Sequence, residues 1–320
     1  MPLTFSYFNR KNFGFMLAKY IIKRVLLMLL TLFLVVTATF FMMQIMPGTP
    51  FHNPKLSPQQ LHILEAAYGL NKPLWEQYLI YLGHAFTGNF GTSFTYVNQS
   101  VSQMIAQRLP VSAQLGVEAL ILALIFGTIF GVLSARYRNR WVDNLLSIVS
   151  TLGFSVPSFV IGTLLLLYFG YTWNVLPITG WGTFSQSIMP AVSLSFAATA
   201  QVTAFVRSEM IEALSSDYIQ LARAKGLSSR EVLWKHALRN SLIPMLTLIG
   251  PMSAGLLTGS VLIESIFSIP GIGQQFVNSI PSKDFPVIMG TTIVYAVMLM
   301  VMILITDILT AFIDPRVRLD

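Results

Sequence analysis

Residues 25–46 read VLLMLLTLFLVVTATFFMMQIM, twenty-two residues without a charge, closed by Pro47-Gly48. At about 1.5 Å per residue a helix of that length covers about 33 Å, enough to cross a hydrocarbon core of about 30 Å. Lys23-Arg24 supply the basic flank of a secretory signal. The apolar run is too long for one, however, and no small-x-small cleavage site follows, so it reads as a retained anchor. The rest of the chain agrees. Its 320 residues are 54% hydrophobic and 10% charged, where a soluble domain carries roughly 25% charged residues. Too few charges remain to wet a surface of that size, and the matching solvent is lipid.

Working outward from the first span, further apolar runs fall at 112–135, 145–169, about 188–206, 242–263 and 287–313. Pro157 lies inside the third and predicts a kink. The fold class expected is therefore an all-α integral membrane protein of about six transmembrane helices. Its divisions are an N-terminal stretch with span one (1–46), an extracytoplasmic helical segment (47–111), a core (112–313) and a short tail (314–320).

The basic residues sort by loop. Arg10, Lys11, Lys19, Lys23 and Arg24 precede span one, and Arg136, Arg138 and Arg140 follow span two. Arg207, Arg223, Lys225, Arg230, Lys235 and Arg239 lie between spans four and five, and Arg316 and Arg318 follow span six. The opposite side holds only Lys55, Lys72, Arg108 and Lys283. Lys and Arg mark cytoplasmic loops, which places both termini inside a multi-pass protein of the cell membrane. The net charge of +7 thus reflects topology, with membrane lipid and not nucleic acid as its surroundings. Trp173 and Trp181 flank an outer loop at interfacial positions. The glycine pairs Gly127/Gly131 and Gly255/Gly259 have the spacing that lets helices approach closely in lipid. With no cysteine, disulfides and thiolate chemistry are excluded, and His52, His62, His84 and His236 are too scattered to bind a metal.

Outside the membrane, Ser57-Pro-Gln-Gln60 carries an N-cap, a proline at the first helical position and a capping-box glutamine, with Gly69 as the stop. A second helix is expected over 73–87, with Trp75, Tyr78, Leu79 and Leu82 on one face and Gly88 as its cap. A third is expected over 100–109. Together they make a small helical cap, either a packed loop or a docking surface for an external delivery protein.

Inside, the segment 208–241 is the most polar. Ser215 or Ser216 can start a short helix running to Lys225, and Arg223 and Lys225 near its end complement the helix dipole. Gly226 stands where a left-handed residue belongs. Ser228-Ser-Arg-Glu231 is a capping box that opens a second helix, expected to end near Asn240 before Pro244. The object is a helix–glycine–helix elbow, a shape suited to lying in a groove on another protein or to resting on anionic lipid.

The run Glu212-Ala-Leu-Ser-Ser-Asp217-Tyr-Ile-Gln-Leu-Ala222-Arg-Ala-Lys-Gly226-Leu, followed by His236-Ala-Leu-Arg-Asn240 and Pro244, resembles the EAA loop of ABC-importer permeases. More narrowly it is similar to the B-type subunit of the dipeptide/oligopeptide/nickel permease family. Further runs of that family's kind are Pro47-Gly-Thr-Pro50, Gly69-Leu-Asn-Lys-Pro73 with Gln77-Tyr78, and Gly88-Asn-Phe-Gly91-Thr-Ser93. Glu264-Ser-Ile-Phe267 with Pro270-Gly-Ile-Gly273, Asp284-Phe-Pro286 and Asp314-Pro-Arg-Val-Arg318 extend the likeness over nearly the full length. Two departures stand out: Thr49 where the family often has an acid, and Glu212-Ala213-Leu214 where it has EAA.

The resemblance implies a type I importer permease fold and makes the elbow a coupling helix that docks on an ATPase. It carries that role onto Glu212, Asp217, Tyr218, Ala222, Arg223, Ala224, Lys225, Gly226, Leu227, His236, Arg239 and Asn240. It also implies a second, C-type permease subunit, two ABC ATPase subunits and an external peptide-binding protein as partners. The chain contains no G-x-x-x-x-G-K-[ST] phosphate loop. It is therefore expected to be non-catalytic and to bind no cofactor, with ATP and magnesium held by the partner ATPases. Their closure is expected to move the elbow as a rigid body and switch spans two to six between inward- and outward-facing states.

Acids inside spans usually face a cavity, a partner or an interface. Glu118 and Glu264, near the outer ends of spans two and five, are candidates for the peptide path; Asp307 reads as structural. Nickel is the alternative cargo within the family. From another class, an ion-gradient-driven secondary transporter is the rival. It calls for paired broken helices or acidic relays at mid-membrane, and no such pair or internal repeat is present in the sequence.

Overall fold

A computed structural model of the chain describes residues 10–46, 51, 57–96 and 98–313, with the side chains of 10–18, 58, 246 and 310–313 excepted. The Pro47–Pro50 run, His52, Lys55 and the Asp314–Arg318 run lie outside the described residues. In chain order the helices are α1 (Arg10–Ile45), α2 (Pro58–Ala67), α3 (Leu74–Phe86), α4 (Val101–Arg136) and α5 (Trp141–Ser155). Next come α6 (Ser158–Leu165), which continues into π-helical turns to Thr172, α7 (Phe184–Ser215) and α8 (Asp217–Ala224). Then follow α9 (Ser229–Glu231), π-helical turns Val232–Ala237, α10 (Leu238–Leu257), α11 (Val261–Ile266), α12 (Ile272–Ser279) and α13 (Phe285–Ile313). No strand is present among the described residues; a single isolated bridge joins Thr92 and Ser100.

Five stretches are long and apolar enough to cross a membrane: Lys19–Ile45, Val101–Arg136, Phe184–Ser215, Thr247–Ile266 and Phe285–Leu309. The third expected span differs. It is a pair of helices, α5 and α6, bent by 105°. Pro157 is the cause: Val156 before it is extended (φ −94°, ψ 120°), since a residue preceding proline is pushed out of the helical region.

Other prolines behave differently, for a reason their neighbours supply. A proline cannot donate to the carbonyl four residues back. For Pro110, Pro244 and Pro251 that carbonyl belongs to Ala106, Asn240 and Thr247, all exposed, for Pro190 of α7 it belongs to the half-buried Gln186, and each helix continues. For Pro157 it belongs to Gly153, which is buried against Ala200, and the helix breaks. The expected outer helix over 100–109 is consequently the first third of α4, whose 36 residues extend about 54 Å, well beyond a bilayer core. The elbow's second helix likewise does not end at Asn240. It runs through both prolines to Leu257.

The core is built on α4 and α7. A Cβ on Gly127 would stand 2.5 Å from Val202 Cβ, and one on Gly131 2.7 Å from Val206 Cβ. The first glycine pair is therefore a close-approach contact, as its spacing predicts. The second is not: nothing lies within 4 Å of a Cβ on Gly255, while Gly259 ends the helix at φ +79°. Gly127→Leu is expected to lower the thermal stability of the assembled protein, by about 1–3 kcal/mol for an overpacked contact. Thermal unfolding in detergent checks this, and an unchanged midpoint would contradict it.

Outside the membrane, the Ser57–Gln60 capping box forms, and Gly69 (φ +71°) and Gly88 (φ +70°) stop α2 and α3 as expected. The buried face of α3 is shifted from the one expected. Trp75 and Leu79 are exposed, whereas Tyr78 faces α1, its hydroxyl 2.6 Å from Thr37 Oγ1 and its ring 5.3 Å from Phe40. Gln77 ties the turn before α3 by donating to the carbonyls of Leu70 (3.1 Å) and Lys72 (2.7 Å). The buried Asp284 carboxylate accepts from the Ser93 hydroxyl and from Phe94 N–H (3.0 Å) and Thr95 N–H (3.2 Å). The cap is thereby fastened to the start of α13. At the other end of the bundle, Arg24 of α1 pairs with Asp307 of α13 at 3.1 Å.

Candidate functional site

The elbow forms where the sequence places it, and its bend is fully hydrogen-bonded. Ser216 is the N-cap residue of α8, but its hydroxyl donates back to the Ala213 carbonyl and does not cap. Asp217 in the first turn and Arg223 in the last complement the helix dipole. At the far end Gly226 N–H donates to the Arg223 carbonyl (3.0 Å) and Leu227 N–H to the Ala222 carbonyl (3.3 Å). This is the paired closure of a Schellman end, and it requires the left-handed residue that Gly226 supplies at φ +81°. A Cβ there would meet nothing within 4 Å, so the requirement is conformational rather than steric.

The chain turns at once into the next helix. Glu231 N–H donates to Ser228 Oγ (3.3 Å) while Ser228 N–H and hydroxyl donate to the Glu231 carboxylate (3.4 and 3.1 Å). Lys235 reaches the same carboxylate at 3.3 Å. With the Ser228 contacts it holds Glu231 below the ordinary carboxylate pKa.

Two faces result. Ile219, Ala222, Val232, Leu233 and Ala237 are buried in the cluster that holds Met210 of α7. The elbow is thus keyed to the membrane core. The opposite face is open: Asp217, Tyr218, Arg223, Ala224, Lys225, Gly226, Arg239 and Asn240 are exposed, and Leu227 and His236 are half-buried. Ala222 is the exception among the expected docking residues, since it faces the core and anchors the elbow. Glu212 is exposed on the last turn of α7, just before the elbow's first helix. Leu221 (57% exposed) and Trp234 (42% exposed) add large apolar surface to the open face. The sequence reading missed both, although Leu221 lies a helical turn from Asp217 and Tyr218.

A second feature missed in the sequence ties α5 to its neighbours. Asp143 of α5, buried, accepts a two-pronged contact from Arg207 of α7 (Nε to Oδ1 2.7 Å, Nη2 to Oδ2 2.9 Å). It also accepts from the Ser134 hydroxyl of α4 and from Asn139 N–H (2.8 Å). One carboxylate thus joins α4, α5 and α7. Arg207 reads in sequence as one more basic loop residue. A lone acid just inside an apolar run, facing an arginine across the bundle, was the available signal.

The acids proposed for the path separate. Glu118 is half-exposed and accepts from Gln114 Nε2 one turn away at 2.8 Å. Glu264 is wholly buried, on α11 beyond the break at Gly259, and lines no open surface. Its carboxylate accepts from the Ser112 hydroxyl (2.7 Å) and from Gln274 N–H (2.9 Å) at the start of α12. Ser112 in turn accepts from Ile272 N–H at 2.9 Å. A Cβ on Gly259 or Gly271 would fall on that carboxylate, which gives the Pro270-Gly-Ile-Gly273 run its physical meaning. No group of acids or histidines able to hold a metal occurs among the described residues.

Comparison with known proteins is consistent with this architecture. Residues 127–319 match the family described as binding-protein-dependent transport system inner membrane component, and residues 16–116 match the N-terminal region of such membrane components. The chain is 73% identical over 303 residues to the dipeptide transport system permease protein DppB of Lactococcus lactis, covering 95% of this chain and 100% of that one. It is 40% identical over 304 residues to DppB of Bacillus subtilis, covering 95% and 99%. It is 41% identical over 303 residues to the oligopeptide transport system permease protein OppB of Haemophilus influenzae, covering 94% and 99%. Among solved structures, the MetNI methionine ABC transporter aligns with a TM-score of 0.54 at 15% identity, over 66% of this chain and 97% of that one, a likeness of fold.

Proposed function

We infer the activity from one premise: the chain belongs to the family of binding-protein-dependent transport system inner membrane components. It is a multi-pass transmembrane permease subunit of an ABC importer for dipeptides or oligopeptides. The observation that carries the peptide assignment is the 73% identity to a dipeptide permease across 95% of the chain.

In this reading the chain forms half of a translocation path and hydrolyses nothing itself. One of two ABC ATPases binds the open face of the elbow, with Tyr218, Leu221 and Trp234 as apolar contacts and Arg223, Lys225 and Arg239 around them. A buried apolar centre with a charged rim is the common anatomy of such interfaces. The distribution of Lys and Arg supports cytoplasmic termini and a cytoplasmic elbow. The outer cap then faces an external peptide-binding protein, with exposed Ile63, Trp75 and Leu79 available to it. A second, C-type permease completes the path. Nickel has no observation in its favour.

The assembled transporter in vesicles, given labelled dipeptides and tripeptides with nickel as the control, is expected to accumulate peptide only with ATP. Accumulation driven by a proton gradient without ATP, or of nickel alone, would refute the assignment.

A further inference from the structure

Helices that touch lipid show it on their surfaces. Leu30 of α1, Ile125 of α4, Leu145 of α5 and Ile305 of α13 are 54%, 50%, 51% and 43% exposed, each among other open apolar side chains. Two spans break this pattern. Beyond Val192 of α7, and along all of α10, no large hydrophobic side chain is exposed among the described residues. What α7 exposes instead is Ala197, Gln201, Ala204 and Ser208, then Glu212 and Ser215; what α10 exposes is Arg239 and Asn240, then Pro244, Thr247, Pro251 and Gly255. Both sets recur every three or four residues, so each forms a stripe along one side of its helix. The two helices are neighbours, and Ala198 and Val202 of α7 share one buried cluster with Met245 and Met252 of α10.

These stripes are polar in a specific way. Gln201 has no hydrogen-bond partner among the described residues, although it sits within a span. Pro251 carries no N–H for the carbonyl of Thr247, an exposed residue at the start of its span. Unpaired amide groups of this kind do not face hydrocarbon; they are tolerated where they line a water-filled cavity or meet protein. The stripes offer donors and acceptors, with charge only toward their elbow ends at Glu212 and Arg239, since Arg207, the one cation on α7, is held by Asp143.

We propose that the exposed stripes of α7 and α10 line the route of the translocating peptide and bind its main chain, through the Gln201 carboxamide and the carbonyl freed by Pro251. This rests on the peptide-importer reading and deepens it. An extended peptide presents main-chain N–H and C=O groups whatever its side chains. A surface of amide groups and small residues therefore accepts peptides of many sequences, where apolar pockets or fixed charges would select among them.

The chain has no cysteine, so single-cysteine variants read accessibility directly. Q201C and T247C, with L145C and I305C as lipid-facing controls, are placed in the complete transporter in vesicles. They are treated during ATP turnover with a charged, water-soluble methanethiosulfonate. Because the thiolate is the reacting form and needs water, the two stripe positions are expected to label about tenfold faster than the controls or more, and to be slowed by saturating dipeptide. Q201L is further expected to raise the KM for dipeptides of unlike side chains by one common factor of about three to ten, the loss of one hydrogen bond. Labelling as slow as the controls, labelling that no dipeptide slows, or cross-linking of both positions to the second permease would overturn the proposal. So would a KM change that depends on side chain. Wild-type vesicles that still import dipeptide in those cases leave the importer reading standing; wild-type vesicles that import none overturn both.

Discussion

Gly226→Val is expected to leave the transporter assembled and to cut ATP-driven peptide uptake about tenfold or more while ATP is still consumed. The cause is conformational. Gly226 sits at φ +81° with open space where a side chain would go. A left-handed L-residue costs about 1–2 kcal/mol, and a β-branched one lies at the unfavourable end. About 1.4 kcal/mol is a tenfold shift in the population of the competent bend. Only the direction of α8 relative to the next helix changes, because Ile219 and Val232 remain buried in the core. Gly226→Asn is the control, since asparagine visits this region readily, and it is expected to retain most uptake. Normal uptake by the valine variant would remove the bend from the mechanism.

Glu264→Ala is expected to lower the stability of the complex strongly without altering which peptides it carries. Removing the carboxylate strands the Ser112 hydroxyl and Gln274 N–H at a fully buried position. Each unsatisfied group costs about 1–3 kcal/mol, and a cavity opens beneath glycines that exist to make room for the carboxylate. Thermal unfolding and yield of the intact assembly measure the loss. Unchanged stability combined with altered peptide preference would instead return Glu264 to the translocation path.

Much of this structure is legible in the sequence wherever local chemistry is decisive. Capping boxes at Ser57 and Ser228 and left-handed glycines at 69, 88 and 226 are local devices, and each forms as its residues predict. The elbow was readable for that reason. Prolines were not, because their effect depends on surroundings that the sequence does not display. Pro157 breaks a helix whose freed carbonyl belongs to a buried glycine, and Pro244 leaves one intact whose freed carbonyl belongs to an exposed asparagine. Buried polar clamps were illegible for a related reason. Ser112 and Glu264 are 152 residues apart, and Ser93 and Asp284 191 apart. Only tertiary packing shows that these acids fasten helices and cap while Glu118 remains open.

A motor outside this chain is expected to grip the open face of the elbow. A photoreactive amino acid placed at Arg223 or Lys225 in the complete transporter is illuminated during ATP turnover. The expected product is a covalent adduct with the ATPase subunit, whose yield rises and falls with the hydrolysis cycle. An adduct with lipid alone, or with the external binding protein, would contradict it.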